Sequence, residues 1–182
     1  MSRNLDNDIK YVLVTAEEIQ EITKRLGKKI SEDYADKDLV IIGMLKGAAP
    51  FMMDLLKSIT LPVTIDFIQI SSYHGGTHST NAIIFKKDID TDVRGKHVLI
   101  VDDIVDTAKT IKKVLNIFED RGVESIELCC LLDKPEGRVV EYEPKYAGKV
   151  IPNEFVVGYG LDFNEYYRNL PYVGVVKEEL YK

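Results

Sequence analysis

The ten residues Val98 to Thr107, VLIVDDIVDT, carry an apolar run straight into two adjacent carboxylates, Asp102 and Asp103, with a third at Asp106. Paired carboxylates suit a hard cation such as Mg²⁺, which takes one or two of them and keeps several waters. Thr107, Lys109 and Thr110 follow at once with two hydroxyls and an ammonium. A helix starting there would add successive backbone N–H groups, an anion cradle of the kind phosphate groups occupy. Acids alone repel a phosphate, so the combination points to a phosphorylated ligand held together with a metal ion. Turn chemistry competes with that reading, because Asp and Thr are common in strand-to-helix loops as caps of the helix that follows.

The flanking pattern decides where these groups sit. His97 to Val101 is apolar and β-branched, Ile111, Val114, Leu115 and Phe118 mark one face of a helix, Gly122 stops it, and Ile126 to Leu132 is apolar again. Strand, helix and strand of this length predict a parallel βαβ unit with a right-handed crossover. The acidic segment then lies beyond the carboxyl end of a strand, where open α/β sheets bind their ligands. Upstream, Thr15-Ala-Glu-Glu18 reads as a capping box ahead of Ile19, Ile22, Leu26 and Ile30. Asp38 to Leu45 reads as a buried strand, Lys46-Gly47 as a turn, and Pro50 as the opening of a helix carrying Phe51, Met52, Leu55 and Leu56. Val63, Ile65 and Phe67 alternate with polar residues on the way to Tyr73, and the polar HGGTHST after it reads as a lid. Phe155 to Tyr159 and Tyr172 to Val176 read as two more short strands.

The bulk numbers narrow the class. A chain of 182 residues, 45% hydrophobic, fits a single domain over residues 1–182. The 24 Lys and Arg against 30 Asp and Glu give a net charge of −6 without a basic block, which argues against a nucleic-acid partner. The two cysteines, Cys129 and Cys130, are adjacent in an apolar run, a pattern of neither a disulfide framework nor a metal knuckle, so a reducing, cytoplasmic setting is expected. No segment is apolar for long enough to span a bilayer, so no membrane partner is expected. A P-loop is absent, and Gly158-Tyr-Gly160 lacks the third glycine of a dinucleotide fingerprint. VLIVDD also opens a response-regulator receiver, but too little chain follows Asp103 to complete one. His74 and His78 are four apart, yet Gly75 and Gly76 argue against a helix presenting both to a metal; His97 reads as structural.

The longer segment VLIVDDIVDTAKT resembles the phosphoribosyl pyrophosphate signature of type I phosphoribosyltransferases. Four further stretches, MLKGAAPFMMDL, IDFIQISSYHGGT, CLLDKPEGR and IPNEFVVGYGLDFNEYYRNLPYVGV, agree in order and spacing. Together they resemble the purine-salvage branch of that family, the hypoxanthine-guanine phosphoribosyltransferases. The resemblance implies an α/β fold with a central, mainly parallel sheet flanked by helices, and a small hood formed by terminal segments. It also implies Mg²⁺-dependent transfer of the phosphoribosyl group from phosphoribosyl pyrophosphate to N9 of hypoxanthine or guanine, giving IMP or GMP and pyrophosphate, by a homodimer or homotetramer.

Roles follow position by position from the same resemblance. Asp102 and Asp103 match the acidic pair that engages the ribose hydroxyls and their Mg²⁺, and Asp162 matches a second Mg²⁺ ligand. Asp106 matches the residue that handles the proton at purine N7, and Asp106, Thr107, Ala108, Lys109 and Thr110 match the 5′-phosphate loop. Lys46 and Gly47 match the pyrophosphate loop, with a non-proline cis peptide between Leu45 and Lys46, and Arg168 matches a further pyrophosphate contact. Lys134 matches the donor to purine O6, Phe155 the ring that stacks on the base, and Val156 and Asp162 the backbone at the base edge. Ser72 and Tyr73 match the start of the lid. Two departures stand out: Asp102 where glutamate is common, and Ala108 where glycine is usual. If Ala108 must take a positive φ the cost is about 1–2 kcal/mol; if not, alanine only stiffens the loop. A nucleic-acid-binding regulator of the same fold would need a basic face, and a preference for xanthine would leave little trace in sequence.

Overall fold

Apolar runs without polar alternation need apolar cover on both faces of a sheet. A computed structural model describes residues 5–72 and 83–181, so Tyr73, His74 and His78 lie outside the described residues. In chain order the elements are β1 (Ile9–Val14), α1 (Ala16–Asp33), β2 (Leu39–Leu45), α2 (Ala49–Leu56), β3 (Thr64–Ser72), β4 (Ile83–Lys87), β5 (His97–Val105), α3 (Lys109–Asp120), β6 (Ser125–Asp133), β7 (Tyr146–Val150), β8 (Val156–Val157) and β9 (Val173–Val176). The main sheet has the order β4-β3-β2-β5-β6-β7, and only β4 runs antiparallel to its neighbour. This is the mainly parallel sheet expected from the βαβ pattern.

Strand alternation sorts the apolar side chains onto two faces. Ile41 of β2, Leu99 and Val101 of β5 and Cys129 of β6 meet Ile19, Ile22, Leu26 and Ile30 of α1 and Phe51, Met52 and Leu55 of α2. Val40, Ile42, Val98, Ile100 and Cys130 face the other way, onto Ile111, Val114, Leu115 and Phe118 of α3. The adjacent cysteines are thus divided between two cores, both as free thiols pushed up by burial. The α1 capping box forms as read: Thr15 Oγ1 accepts from the Glu18 N–H at 3.2 Å, and the Glu18 carboxylate accepts from the Thr15 N–H at 2.9 Å. No helix among the described residues is long and apolar enough to cross a membrane.

The hood is a separate antiparallel sheet, β1-β9-β8, in which a segment from the start of the chain pairs with one from its end. Tyr167 donates to Asp8 Oδ2 at 2.7 Å, and Lys177 donates to the Asn7 carbonyl at 2.6 Å. Tyr159 donates to Asp54 Oδ2 at 2.6 Å and so ties the hood side to α2. The expected strand from Phe155 to Tyr159 shrinks to Val156 and Val157, because Tyr159 (φ 48°) and Gly158 (φ 98°) turn the chain away. Three strands went unread: β1, edge strand β4, and β7, whose YAGKV has little apolar content.

A buried carboxylate pins the far side of the main sheet. Asp66, 8% exposed within β3, accepts from the N–H groups of Phe67, Asp90 and Thr91 and from Lys87. Burial alone pushes this carboxyl up, but the donors outweigh it and hold it well below the usual carboxylate range. A depressed carboxyl contributes stability that is present above its unfolded value, about 4, and is lost as pH falls toward the folded one. Asp66→Asn is expected to cost about 2 kcal/mol in urea unfolding at pH 7, with the gap from wild type narrowing at pH 3. An equal gap at both pH values would mean that the charge contributes nothing.

Candidate active site

Strand β5 runs on to Val105, four residues beyond its expected end at Val101, so Asp102 and Asp103 lie within the strand and not in the loop after it. Asp102 pairs in register with Cys130 of β6. Asp102 Oδ1 accepts from the Asp103 N–H at 3.0 Å, and Asp103 Oδ1 from the Ile104 N–H at 2.8 Å. Both side chains are half-buried. Burial pushes the Asp102 carboxyl well up, and the neighbouring Asp103 charge adds to it. Asp103 is raised by burial too, less so because backbone N–H groups and the field of Arg168 favour its anion. A divalent cation would relieve this repulsion, so the donor set fits Mg²⁺. Among the described residues no three His, Cys, Asp or Glu side chains converge to hold an ion by themselves, and the remaining oxygens would come from ligand or water.

Helix α3 begins at Lys109, which puts Lys109 and Thr110 in its first turn and leaves only Asp106, Thr107 and Ala108 as loop. Its cap is Ala108, in the left-handed conformation at φ 60°, ψ 0°, with no side-chain hydrogen bond to the helix. The nearest substitute is Thr107 Oγ1, 3.4 Å from the Lys109 N–H. Turn chemistry therefore fails at the cap itself, and the helix start is left for an external acceptor. A cleft of about 240 Å³ opens there, lined by Asp102, Val105, Asp106, Thr107, Ala108 and Thr110.

Asp106 and Lys134 come from the ends of neighbouring strands and form an ion pair at 2.6 Å. Lys134 is buried, 9% exposed, and its N–H donates to the Val105 carbonyl at 2.9 Å. The approach depends on Gly137, since a Cβ there would collide with Asp106 Oδ1. Arg138 fastens the arrangement: Nη1 donates to the carbonyls of Val105 and Asp106, and Nη2 pairs with Asp133. Neither Gly137 nor Arg138 was singled out from sequence. The Gly-Arg pair that closes CLLDKPEGR was the available signal.

Across the cleft, Lys46 and Gly47 follow β2, and the Leu45–Lys46 peptide is cis as expected. A Cβ on Gly47 would collide with Asp103 Oδ2, which places the Lys46-Gly47 turn against the end of β5. Arg168 donates through Nη1 to the Gly160 carbonyl at 2.7 Å and forms an ion pair through Nη2 with Asp162 Oδ1 at 2.8 Å; its buried Nε has no partner among the described residues. Lys46 pairs with Glu165 Oε2 at 2.7 Å, and Arg168 Nη2 lies 3.3 Å from Glu165 Oε1. Sequence reasoning missed Glu165. Asp162 is drawn to Arg168 and does not join Asp102 and Asp103 in a single cluster of acids.

Phe155 stands at the hood, its ring 5.5 Å from Phe163 edge-on and 4.8 Å from Tyr181 at 35°. Tyr181 also went unread, having only its aromatic character to mark it. Val156 is buried beside it in β8. Ser72 ends β3, and Tyr73 falls outside the described residues.

Residues 13–164 match the phosphoribosyl transferase domain family. The chain is 53% identical over 177 residues to a hypoxanthine-guanine phosphoribosyltransferase of Streptococcus pneumoniae strain R6, covering 97% of this chain and 98% of that protein. It is 50% identical over 177 residues to its namesake in Staphylococcus aureus strain Mu50, with 97% and 99% covered. A solved hypoxanthine phosphoribosyltransferase from Staphylococcus aureus superposes with a TM-score of 0.94 at 49% identity, covering 100% of this chain and 99% of that one.

The left-handed Ala108 gives a direct measurement. Glycine there removes about 1–2 kcal/mol of backbone strain and restores about 0.4–1 kcal/mol of unfolded-chain entropy. Loss of the buried methyl costs about 0.8 kcal/mol as well, so Ala108→Gly is expected to leave stability within about 0.8 kcal/mol of wild type in urea unfolding. A larger fall would show that packing of the methyl outweighs the strain.

Proposed function

The chain belongs to the phosphoribosyl transferase family, in its hypoxanthine-guanine branch and with the type I fold, and on that premise we propose the full reaction. With Mg²⁺ bound, it transfers the phosphoribosyl group of phosphoribosyl pyrophosphate to N9 of hypoxanthine or guanine and releases IMP or GMP with pyrophosphate. The observation that carries this reading is the Asp106–Lys134 pair, a carboxylate and an ammonium 2.6 Å apart at the mouth of an uncapped helix. A 6-oxopurine presents N7 and O6 side by side on one edge. Lys134 donates to O6 and cannot accept, so it rejects the 6-amino group of adenine. Asp106 beside it takes the N7 proton as N9 bonds to the ribose carbon and gives it back only in the reverse direction, a general acid/base role.

The other groups divide the remaining work. The start of α3, with Thr107, Lys109 and Thr110, binds the 5′-phosphate. Asp102 and Asp103 would hold Mg²⁺, and Asp162, on the opposite loop, would hold a second ion; bound there, the metal would supply charge neutralisation for the pyrophosphate leaving group. Lys46, the Gly47 backbone and Arg168 bind that group, and the unpartnered Nε of Arg168 leaves a donor available for it. Phe155 stacks on the base, a contact of roughly 1–3 kcal/mol in other base-binding sites, and the backbone of Val156 and Asp162 meets the base edge. Ser72 and Tyr73 begin a lid that excludes water from the reacting carbon. We assign this work to one domain of residues 1–182, acting as a homodimer or homotetramer in the cytoplasm.

Incubation with Mg²⁺, phosphoribosyl pyrophosphate and each of hypoxanthine, guanine, xanthine and adenine is expected to yield nucleotide and pyrophosphate from the 6-oxopurines and none from adenine. No product from any base would refute the proposal. Asp106→Asn is expected to lower kcat by about 10²–10⁴ while leaving phosphoribosyl pyrophosphate affinity nearly unchanged. Equal losses in both would assign Asp106 to substrate binding.

A further inference from the structure

One acidic side chain on the rim is unused by the reaction just described, yet it occupies both cations assigned to the leaving group. Glu165 places one carboxylate oxygen on each of them, Oε2 at 2.7 Å from Lys46 Nζ and Oε1 at 3.3 Å from Arg168 Nη2. These two cations lie 122 residues apart in the chain, and Glu165 bridges them. The turn that presents Glu165 is strained: Asn164, Glu165 and Tyr167 take φ values of 53°, 68° and 75°, a left-handed region that non-glycine residues rarely occupy. Strain of this kind persists only where surroundings impose it, and here Asp162 Oδ2 accepts the Glu165 N–H at 2.9 Å. The same Asp162 holds Arg168 through its other oxygen.

We propose that Glu165 is an internal stand-in for the pyrophosphate anion, holding Lys46 and Arg168 in place until the leaving group displaces it. The inference rests on the assignment of those cations to pyrophosphate. Its side chain is 64% exposed, so the displaced carboxylate is rehydrated at little cost, whereas Arg168 keeps Asp162 and stays oriented. A ligand that must first displace an internal competitor binds more weakly by the fraction of molecules in which the competitor is engaged. The consequence for turnover is that bound pyrophosphate is returned to solvent faster, because Glu165 is ready to take back both cations.

The test is calorimetric titration of inorganic pyrophosphate in excess Mg²⁺ into the full chain. Glu165→Gln keeps the side-chain length and the backbone demand while removing the charge. Both it and Glu165→Ala are expected to bind pyrophosphate about 1.5-fold to fivefold more tightly than wild type, the scale of one exposed ion pair. Arg168→Ala is expected to weaken binding. In steady state both Glu165 variants should show stronger product inhibition by pyrophosphate. Unchanged or weaker binding by the Glu165 variants, beside a wild type that binds and an Arg168→Ala that does not, would overturn the stand-in role alone. A wild type that binds no pyrophosphate would overturn the assignment of the cations, and the inference with it.

Discussion

A carboxylate removed from water must find donors or a cation, and that constraint organises the whole carboxyl end of the main sheet. Asp106 takes Lys134, Asp133 takes Arg138 and Asp162 takes Arg168, and the exposed Glu165 adds a rim pairing with Lys46. The Asp106–Lys134 and Glu165–Lys46 pairings join segments distant in the chain and so fix loops relative to one another, while the other two close local turns. Asp102 and Asp103 are the exception. Backbone N–H groups satisfy one oxygen of each, burial raises both, and no described lysine or arginine lies within ion-pair distance. The site thus separates acids neutralised by protein cations from a pair that no described cation neutralises.

Bringing that many charged groups together leaves no room for side chains at the points of closest approach. Gly47 lies against Asp103, and Gly137 lies against Asp106; in each case a single added carbon would displace the carboxylate. The two glycines are therefore part of the electrostatic arrangement, since any residue with a Cβ would push the acid away from its partner. The hood is bound into the same arrangement. Tyr159 holds α2 through Asp54, and the turn from Asp162 to Arg168 reaches the Lys46 loop through Glu165. Closing the small sheet from both chain ends thereby positions residues on the main one.

What the sequence made legible was the part governed by local periodicity and by motif. The buried strands from Leu39, His97 and Ser125, the capping box of α1 and the apolar faces of all three helices followed from spacing alone. Asp102, Asp103, Asp106 and the residues after them stood out because their types and order suggest one chemistry. The residues that escaped are those whose role is a tertiary contact. Glu165 and Arg138 are ordinary charged residues until the fold sets them against Lys46 and the Val105 and Asp106 carbonyls. Strands β1, β4 and β7 escaped because their apolar residues do not follow burial: the IKYVLV of β1 is mostly apolar yet largely exposed, and β4 and β7 are five-residue edge strands.

Ala108 shows how a departure from the usual residue is accommodated. Its φ of 60° is the conformation for which glycine is suited, and alanine carries a penalty of about 1–2 kcal/mol there. Yet Ala108 is 5% exposed and packs in the same cluster as Val105 and Ile111. Burying one methyl contributes roughly 0.8 kcal/mol, which offsets a good part of that penalty. The same methyl restricts the unfolded chain, a further contribution of a few tenths to about 1 kcal/mol. The left-handed turn is thus kept with alanine at little net cost, and α3 still begins at Lys109 with its first turn open to the cleft.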